Sequence, residues 1–147
     1  MFAEYSMAGQ LTLATFMVLL TVMVHGVGLV VLTRVLRIEQ HEERAAHYSP
    51  LSTRGIAFTF ALVIGLFAIH GLEIWLYAAL YLLGGAQPDL HQAVYFSTIT
   101  YGTIGYDDEG LPRAWQLVAA IEGINGVILL GWSTAFFVAL VARMGRR

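Results

Sequence analysis

Ionisable side chains are rare in the long apolar stretches of this chain, and the few that occur there carry its first chemical signal. His70 and Glu73 lie three residues apart, so a helix would place both on one face. His25 lies midway along an earlier apolar run. Imidazole and carboxylate groups bind zinc and iron, so a membrane metalloprotein or a haem-bearing redox subunit is one interpretation. The set lacks a paired Glu-x-x-His repeat, and we favour hydrogen bonds between helices instead.

The composition is that of a membrane protein. Of the 147 residues, 58% are apolar and 12% are charged, whereas soluble domains have about 45–50% apolar and about 25% charged residues. All eight basic residues are Arg, the net charge is −2, and the sequence contains no cysteine. These values exclude an ordinary soluble enzyme, a nucleic-acid binder, a disordered chain and thiolate chemistry.

Three apolar runs are long enough to cross a bilayer. No charged residue lies between Glu4 and Arg34, and that run exceeds the roughly 20 residues that a spanning helix needs. A signal peptide would have a basic start and a shorter apolar centre, so we predict a retained helix over about residues 8–35. The second and third runs cover about residues 55–84 and 114–143.

The arginines predict how these spans are oriented. Arg113 alone lies between the second and third runs, and the others lie in the first loop or at the C-terminus. Those others are Arg34, Arg37, Arg44, Arg54, Arg143, Arg146 and Arg147. Because basic loop residues collect on the cytoplasmic side, we expect a multi-pass protein with its N-terminus outside and its C-terminus in the cytoplasm.

The segment between the second and third runs is predicted to enter the membrane without crossing it. Residues 90–99 are apolar enough for a short helix but too few to span, and glycine-containing sequence follows them. Pro88 and Asp89 precede this helix, and they suit a helix start because Pro favours a first turn and Asp can cap one. Such a segment is tolerated where it is buried in protein or lines a water-filled cavity.

Glycine and hydroxyl residues dominate the sequence that follows this short helix. It reads Thr100-Tyr101-Gly102-Thr103-Ile104-Gly105-Tyr106-Asp107-Asp108. This stretch resembles the potassium-channel signature, a pore helix leading into Thr-Val-Gly-Tyr-Gly and then Asp. Over roughly residues 55–145 the chain is similar to small bacterial two-transmembrane or two-pore potassium channels. Further resemblance is carried by residues 70–75, 93–98, 120–123 and 131–135.

The apolar runs and the resemblance together predict an all-α membrane protein with three transmembrane helices, a re-entrant pore helix and a filter loop per subunit. The resemblance implies assembly as a homotetramer, and the first helix is an addition to the family's minimal pore unit. Residues 1–54 would form the N-terminal helix and cytoplasmic loop, and residues 55–147 the pore domain. Backbone carbonyls of residues 103–106 and the Thr103 hydroxyl would replace the hydration shell of K⁺. Glycine reaches the left-handed backbone conformations that this arrangement requires.

The partners implied are other copies of the chain, the lipid bilayer and monovalent cations, with no nucleic acid. Because conduction catalyses no reaction, the resemblance implies neither an enzyme nor a cofactor. It also implies the bacterial inner membrane as the location.

Asp107 departs from the family pattern, which has Gly at this position. A non-Gly residue in the left-handed conformation costs roughly 1 kcal/mol and Asp tolerates it well, so the backbone geometry can survive. Carboxylates of Asp107 and Asp108 would gather at the outer mouth, where they either turn away from the axis or form an acidic ring that concentrates cations. A weakly selective cation channel and a non-conducting membrane subunit therefore remain alternatives to a potassium-selective channel.

The third run is expected to line the inner vestibule. Glu122 lies about nine residues into it, level with the pore helix, and an acid at that depth needs partners. We predict that Glu122 supports the filter through Ser97 or Thr98. Gly126 and Gly131 are candidate gating hinges, and we favour Gly131.

Replacing Asp107 with Gly would restore the family's filter sequence and remove a ring of carboxylates from the mouth. We expect Asp107→Gly to retain conduction and to discriminate more strongly between potassium and sodium. Reversal potentials of the native chain and the variant in mixed ions measure this, and unchanged or poorer discrimination contradicts it.

Overall fold

The computed structural model describes residues 6–36, 52–105 and 111–144. Within these residues the chain is helical and contains no strand. The helices are α1 (Met7–Val35), α2 (Thr53–Leu83), α3 (Leu90–Tyr101) and α4 (Arg113–Met144). Since α1, α2 and α4 are each long and apolar enough to cross a membrane, the chain is an all-helical, multi-pass membrane protein.

Serine side chains start the first two helices. The Oγ atoms of Ser6 and Ser52 each accept a hydrogen bond at 3.2 Å from the backbone N–H three residues later. Such caps satisfy N–H groups that have no partner inside the helix. α1 begins one residue before the predicted 8–35 segment and ends at the same residue.

Two buried apolar clusters stabilise opposite ends of the bundle. One joins the first half of α1 to the end of α2, to α3 and to the start of α4, and it includes Tyr77 and Trp115. The other joins the end of α1 to the start of α2 and the end of α4, and it includes Leu62 and Leu140. In lipid, close packing of this kind replaces the expulsion of water as the force that holds helices together.

The outward faces of the helices are as apolar as the interior. Phe16, Phe60 and Phe67 are 60%, 65% and 75% exposed. Helices that are apolar on every face are typical of membrane spans, so these side chains fit a lipid environment.

α3 packs against α2 and α4, and it is two residues longer than the sequence predicted. Thr100 and Tyr101 continue the helix, which ends at Gly102, whose N–H donates to the Thr98 carbonyl at 3.0 Å. Thr100 and Tyr101 are both buried. Contacts with the neighbouring helices therefore extend α3 into residues that the local sequence assigned to a loop.

α4 approaches the end of α3 closely at Gly126. A Cβ atom at this position would lie 2.2 Å from the Tyr101 carbonyl oxygen and 2.9 Å from the carbonyl carbon. Gly126 therefore has a packing role between the two helices. The other candidate hinge, Gly131, has nothing within 4 Å of the corresponding Cβ position.

We expect Gly126→Ala to destabilise the protein by about 1–3 kcal/mol, the usual range for overpacking, because a backbone carbonyl cannot move aside as a flexible side chain can. Gly71→Ala is the matched control, since a Cβ there meets nothing within 4 Å. Unfolding in detergent measures both variants. Equal stabilities would show that the helices separate without penalty at Gly126.

Candidate functional site

Asp89 caps the start of α3, and Pro88 lies one position before the cap rather than in the first turn. The backbone N–H of Gln92 donates to Asp89 Oδ1 at 2.9 Å, and the Gln92 side-chain amide donates to Oδ2 at 3.0 Å. The hydrogen bond from the backbone is the main reason why the pKa of the Asp89 carboxyl lies below its usual value. The negatively charged cap interacts favourably with the positive end of the helix dipole. The negative end of the dipole lies at Tyr101, where the loop begins.

The backbone that follows α3 folds back onto the end of the helix. The N–H of Thr103 donates to the Thr100 carbonyl at 3.1 Å, and the N–H of Ile104 donates to the Ile99 carbonyl at 2.9 Å. Thr103 has a φ of 53°, a left-handed conformation that is rare for a β-branched residue. Gly102 is right-handed with a φ of −77°. The left-handed position thus falls on Thr103 and not on the neighbouring glycine.

These contacts use the N–H groups of the loop and leave its carbonyl oxygens available. No backbone N–H in the described part of the chain donates to a carbonyl of residues 103–105. All three residues are exposed in the single chain, and Ile104 is 75% exposed. The last predicted filter residue, Tyr106, and the predicted outer-mouth residues, Asp107 and Asp108, lie outside the described residues.

Glu122 is buried behind α3 and contacts two hydroxyl groups. Ser97 Oγ lies 2.6 Å from Glu122 Oε1, and Tyr81 donates its hydroxyl to Oε2 at 2.5 Å. The other predicted partner, Thr98, donates instead to a carbonyl of its own helix at 2.7 Å. Glu122 therefore links α4 to both α2 and α3 through Tyr81 and Ser97.

A count of hydrogens around Ser97 favours a neutral carboxyl group at Glu122. Ser97 has one hydroxyl hydrogen but two oxygen neighbours, Glu122 Oε1 and the Ile74 carbonyl, which lies 3.0 Å away. If Ser97 donates to Ile74, the contact with Glu122 needs the hydrogen of a carboxylic acid. This arrangement gives each hydroxyl hydrogen of the group an acceptor.

A second buried polar group connects all four helices. His25 of α1 and His70 of α2 place their Nδ1 atoms 2.9 and 3.1 Å from the Glu73 carboxylate. Tyr101, the last residue of α3, donates its hydroxyl to Glu73, and Ser133 Oγ of α4 lies 2.9 Å from His70 Nε2. The hydrogen bonds between helices that the sequence suggested for His25 and Glu73 are present.

Sequence reasoning missed the polar partners on α3 and α4. The local sequence places Tyr101 in the loop, and it does not show the contact of Ser133 with His70 or the buried contact from Asn125 Nδ2 to Thr21 Oγ1 at 2.8 Å. Asn125 and Ser133 lie three and eleven residues after Glu122, which places all three on one face of α4. That spacing is the signal that would have found them.

A cavity of about 330 Å³ lies between the end of α3 and α4. Thr100, Thr103 and Gly123 are among the residues that line it. Thr100 Oγ1 is buried, and it has no hydrogen-bond partner among the described residues. The cavity therefore brings an unpaired hydroxyl close to the loop.

Residues 56–143 match the family described as Ion channel. Because the match covers more than half of the chain, the chain belongs to this family. The matched segment contains α3, its loop and almost all of the two flanking helices, whereas α1 lies outside it. Searches among curated proteins and among solved structures found no match.

Two substitutions at Glu122 test the neutral carboxyl group. Gln retains both contacts, because its amide nitrogen donates to Ser97 and its amide oxygen accepts from Tyr81, so we expect Glu122→Gln to change stability by less than about 1 kcal/mol. Glu122→Ala removes the hydrogen bond that the Tyr81 hydroxyl donates and opens a cavity, at a cost of about 2–4 kcal/mol. Unfolding in detergent measures both variants. A Gln variant as unstable as the Ala variant would show that Glu122 has to be ionised.

Proposed function

We propose that the chain forms a homotetrameric, potassium-selective cation channel of the bacterial inner membrane. Membership of the Ion channel family supports ion conduction, and the Thr-Ile-Gly-Tyr sequence at residues 103–106 supports potassium as the ion. Carbonyl oxygens of these residues and the Thr103 hydroxyl would coordinate the dehydrated ion. The ion would move down its electrochemical gradient.

The backbone after α3 is the observation that carries this proposal. Its N–H groups donate to carbonyls at the end of α3, and no backbone N–H of the described residues donates to the carbonyls of residues 103–105, which would face a cation. The left-handed Thr103 is the kind of strained backbone that persists at functional sites. The negative end of the α3 dipole, worth about half an elementary charge, would stabilise a cation close to the loop.

The depth of the loop argues that it faces protein or water rather than lipid. α3 ends beside His70 and Ser133, which lie near the middle of α2 and α4. Lipid tails offer no donors to carbonyl oxygens at that depth, so irregular backbone there has to be buried in protein or line an aqueous cavity. A pore shared between subunits meets this requirement.

Four copies around one axis would cover the groups that a single chain leaves open. One chain supplies one loop, and a ring of carbonyls needs several. Ile104 is 75% exposed, and Ile124 and Val127, which line the cavity between α3 and α4, are 64% and 53% exposed. An exposed apolar surface of this kind is what a subunit interface would bury.

The roles proposed for the remaining site residues rest on where these residues lie in the fold and in the sequence. Glu122 and Ser97 would act as filter supports, since they fix α3 without reaching the loop. Asp107 and Asp108 would lie at the outer mouth if the arginines orient the chain as proposed, and Gly131 would serve as the hinge of α4.

A weakly selective cation channel is the second candidate, and Asp107 is the observation that favours it. The family has Gly at this position, and carboxylates near the mouth attract cations of any kind. Discrimination between potassium and sodium separates the two candidates.

Ion flux into liposomes tests the proposal. We expect potassium flux to exceed sodium flux at least tenfold and a large organic cation to be excluded, with a particle mass of four chains in detergent. Similar potassium and sodium fluxes would favour the second candidate, and the absence of flux from a correctly folded protein would favour a non-conducting subunit.

Gly105→Ala sharpens this test. A Cβ at Gly105 meets nothing within 4 Å in the single chain, and the same holds for the control position Gly71 on α2. Around a shared axis, however, an added methyl group from every subunit would crowd the ion path. We expect Gly105→Ala to fold normally and lose most potassium flux, whereas Gly71→Ala retains it. Equal fluxes would contradict a filter at residues 103–106.

A further inference from the structure

The buried cluster of His25, His70 and Glu73 takes no part in the conduction path described above. The side chains of His25 and Glu73 are fully buried, and the side chain of His70 is 12% exposed. We propose that these three residues bind one divalent transition-metal ion of the zinc type, which ties α1 to α2 beside the end of α3.

The donor set and its distances suit such an ion. One ligand atom from each residue lies within 4.8 Å of the other two. His25 Nδ1 is 2.9 Å from Glu73 Oε1, and His70 Nδ1 is 3.1 Å from Glu73 Oε2. Zinc holds such ligands at about 2.0–2.2 Å in a tetrahedron, which puts neighbouring ligand atoms roughly 3.3 Å apart. Each of the two histidine–Glu73 pairs would open by roughly 0.2–0.4 Å to reach this spacing, and the three ligand atoms already lie within 4.8 Å of one another.

The position of Ser133 favours a metal site over a set of hydrogen bonds in which both imidazole rings are neutral. Its Oγ lies 2.9 Å from His70 Nε2 and 3.4 Å from His25 Nε2. If both rings donate from Nδ1 to Glu73, their Nε2 atoms compete for the single hydroxyl hydrogen of Ser133. With a metal on the Nδ1 atoms, both hydrogens move to Nε2, and Ser133 Oγ accepts from both rings through its two lone pairs.

The alternative to a metal ion is an additional proton on one of the two imidazole rings. The resulting imidazolium would also satisfy the hydrogen bonds of Ser133 and would balance the charge of the Glu73 carboxylate. Tyr101 favours the metal. Its hydroxyl oxygen lies 2.9 Å from His70 Nδ1 and is hydrogen-bonded to Glu73. An oxygen atom thus lies beside His70 and Glu73 that would supply the fourth ligand of a tetrahedral zinc ion. A proton shared in a hydrogen bond would lie between only two of these atoms.

Aromatic rings pack against the two histidines of the cluster. The indole ring of Trp132 has its centroid 5.1 Å from that of His25, and the ring of Tyr101 lies edge-on to His70 at 5.8 Å. Such a shell fixes the orientation of the imidazole rings. The His70 side chain is the exposed part of the cluster, so an ion would enter from its side.

Zinc content and affinity of the full chain in detergent test the proposal. After removal of metals with a chelator, we expect the native protein to take up one Zn²⁺ per chain, and Co²⁺ in its place to show the visible absorption of a tetrahedral site. His25→Ala and Glu73→Gln should weaken Zn²⁺ binding by roughly 100-fold or more, whereas Ser133→Ala should weaken it by roughly 10–100-fold. His91→Ala is the matched control, because His91 is an exposed histidine of α3 outside the cluster, and we expect it to bind as the native chain does.

The absence of stoichiometric Zn²⁺ in the native chain overturns the proposal, and so does native affinity in Ser133→Ala or Glu73→Gln. If His25→Ala fails to fold, Ser133→Ala still decides, because it removes a single hydroxyl group. Metal content does not depend on conduction. A chain that binds Zn²⁺ but passes no potassium would contradict the proposed function alone, and a chain that conducts without binding Zn²⁺ would contradict this inference alone.

Discussion

Two buried glutamate side chains hold the short helix α3 between its neighbours. A helix of 12 residues is marginal by itself in water, and this one has polar anchors at two points along its length. Glu122 contacts Ser97 in the middle of α3, and Glu73 accepts the hydroxyl of Tyr101 at its end. An acid inside an apolar bundle is costly unless it has hydrogen-bond partners, so displacing α3 would break contacts that the bundle cannot replace.

The position of α3 in turn determines what its loop can do. Tyr101 is bound at the middle of the bundle, and the backbone turns at once into Gly102 and the left-handed Thr103. Because the loop returns its N–H groups to the helix it has just left, its carbonyls are the groups that remain for a ligand. The polar anchors and the free carbonyls are therefore parts of one arrangement, in which buried acids place an otherwise unstable backbone at membrane depth.

The spans and the start of α3 were predictable from local sequence, whereas the partners of the buried acids were not. Long runs of mostly apolar residues defined the three long helices, and Asp89 marked the cap of α3. The same runs conceal which face of each helix points inward, since a helix that is apolar on every side has no polar face to give its rotation. Glu73 meets Tyr101 across 28 residues, and Ser133 meets His25 across 108. The left-handed Thr103 was equally hidden, because its φ results from the hydrogen bonds that the loop makes with the end of α3.

α1 lies outside the segment that matches the Ion channel family, yet it completes the polar interior of that segment. His25 contacts Glu73, and Thr21 accepts a hydrogen bond from Asn125 at 2.8 Å. Without α1, an acid and an amide of the matched segment would lose these partners and the helix that covers them, and lipid would offer neither donors nor acceptors in exchange. A domain boundary after residue 54 therefore separates elements that are consecutive along the chain, but buried hydrogen bonds connect the residues on its two sides. In physical terms α1 belongs to the same folding unit as the helices that carry the loop.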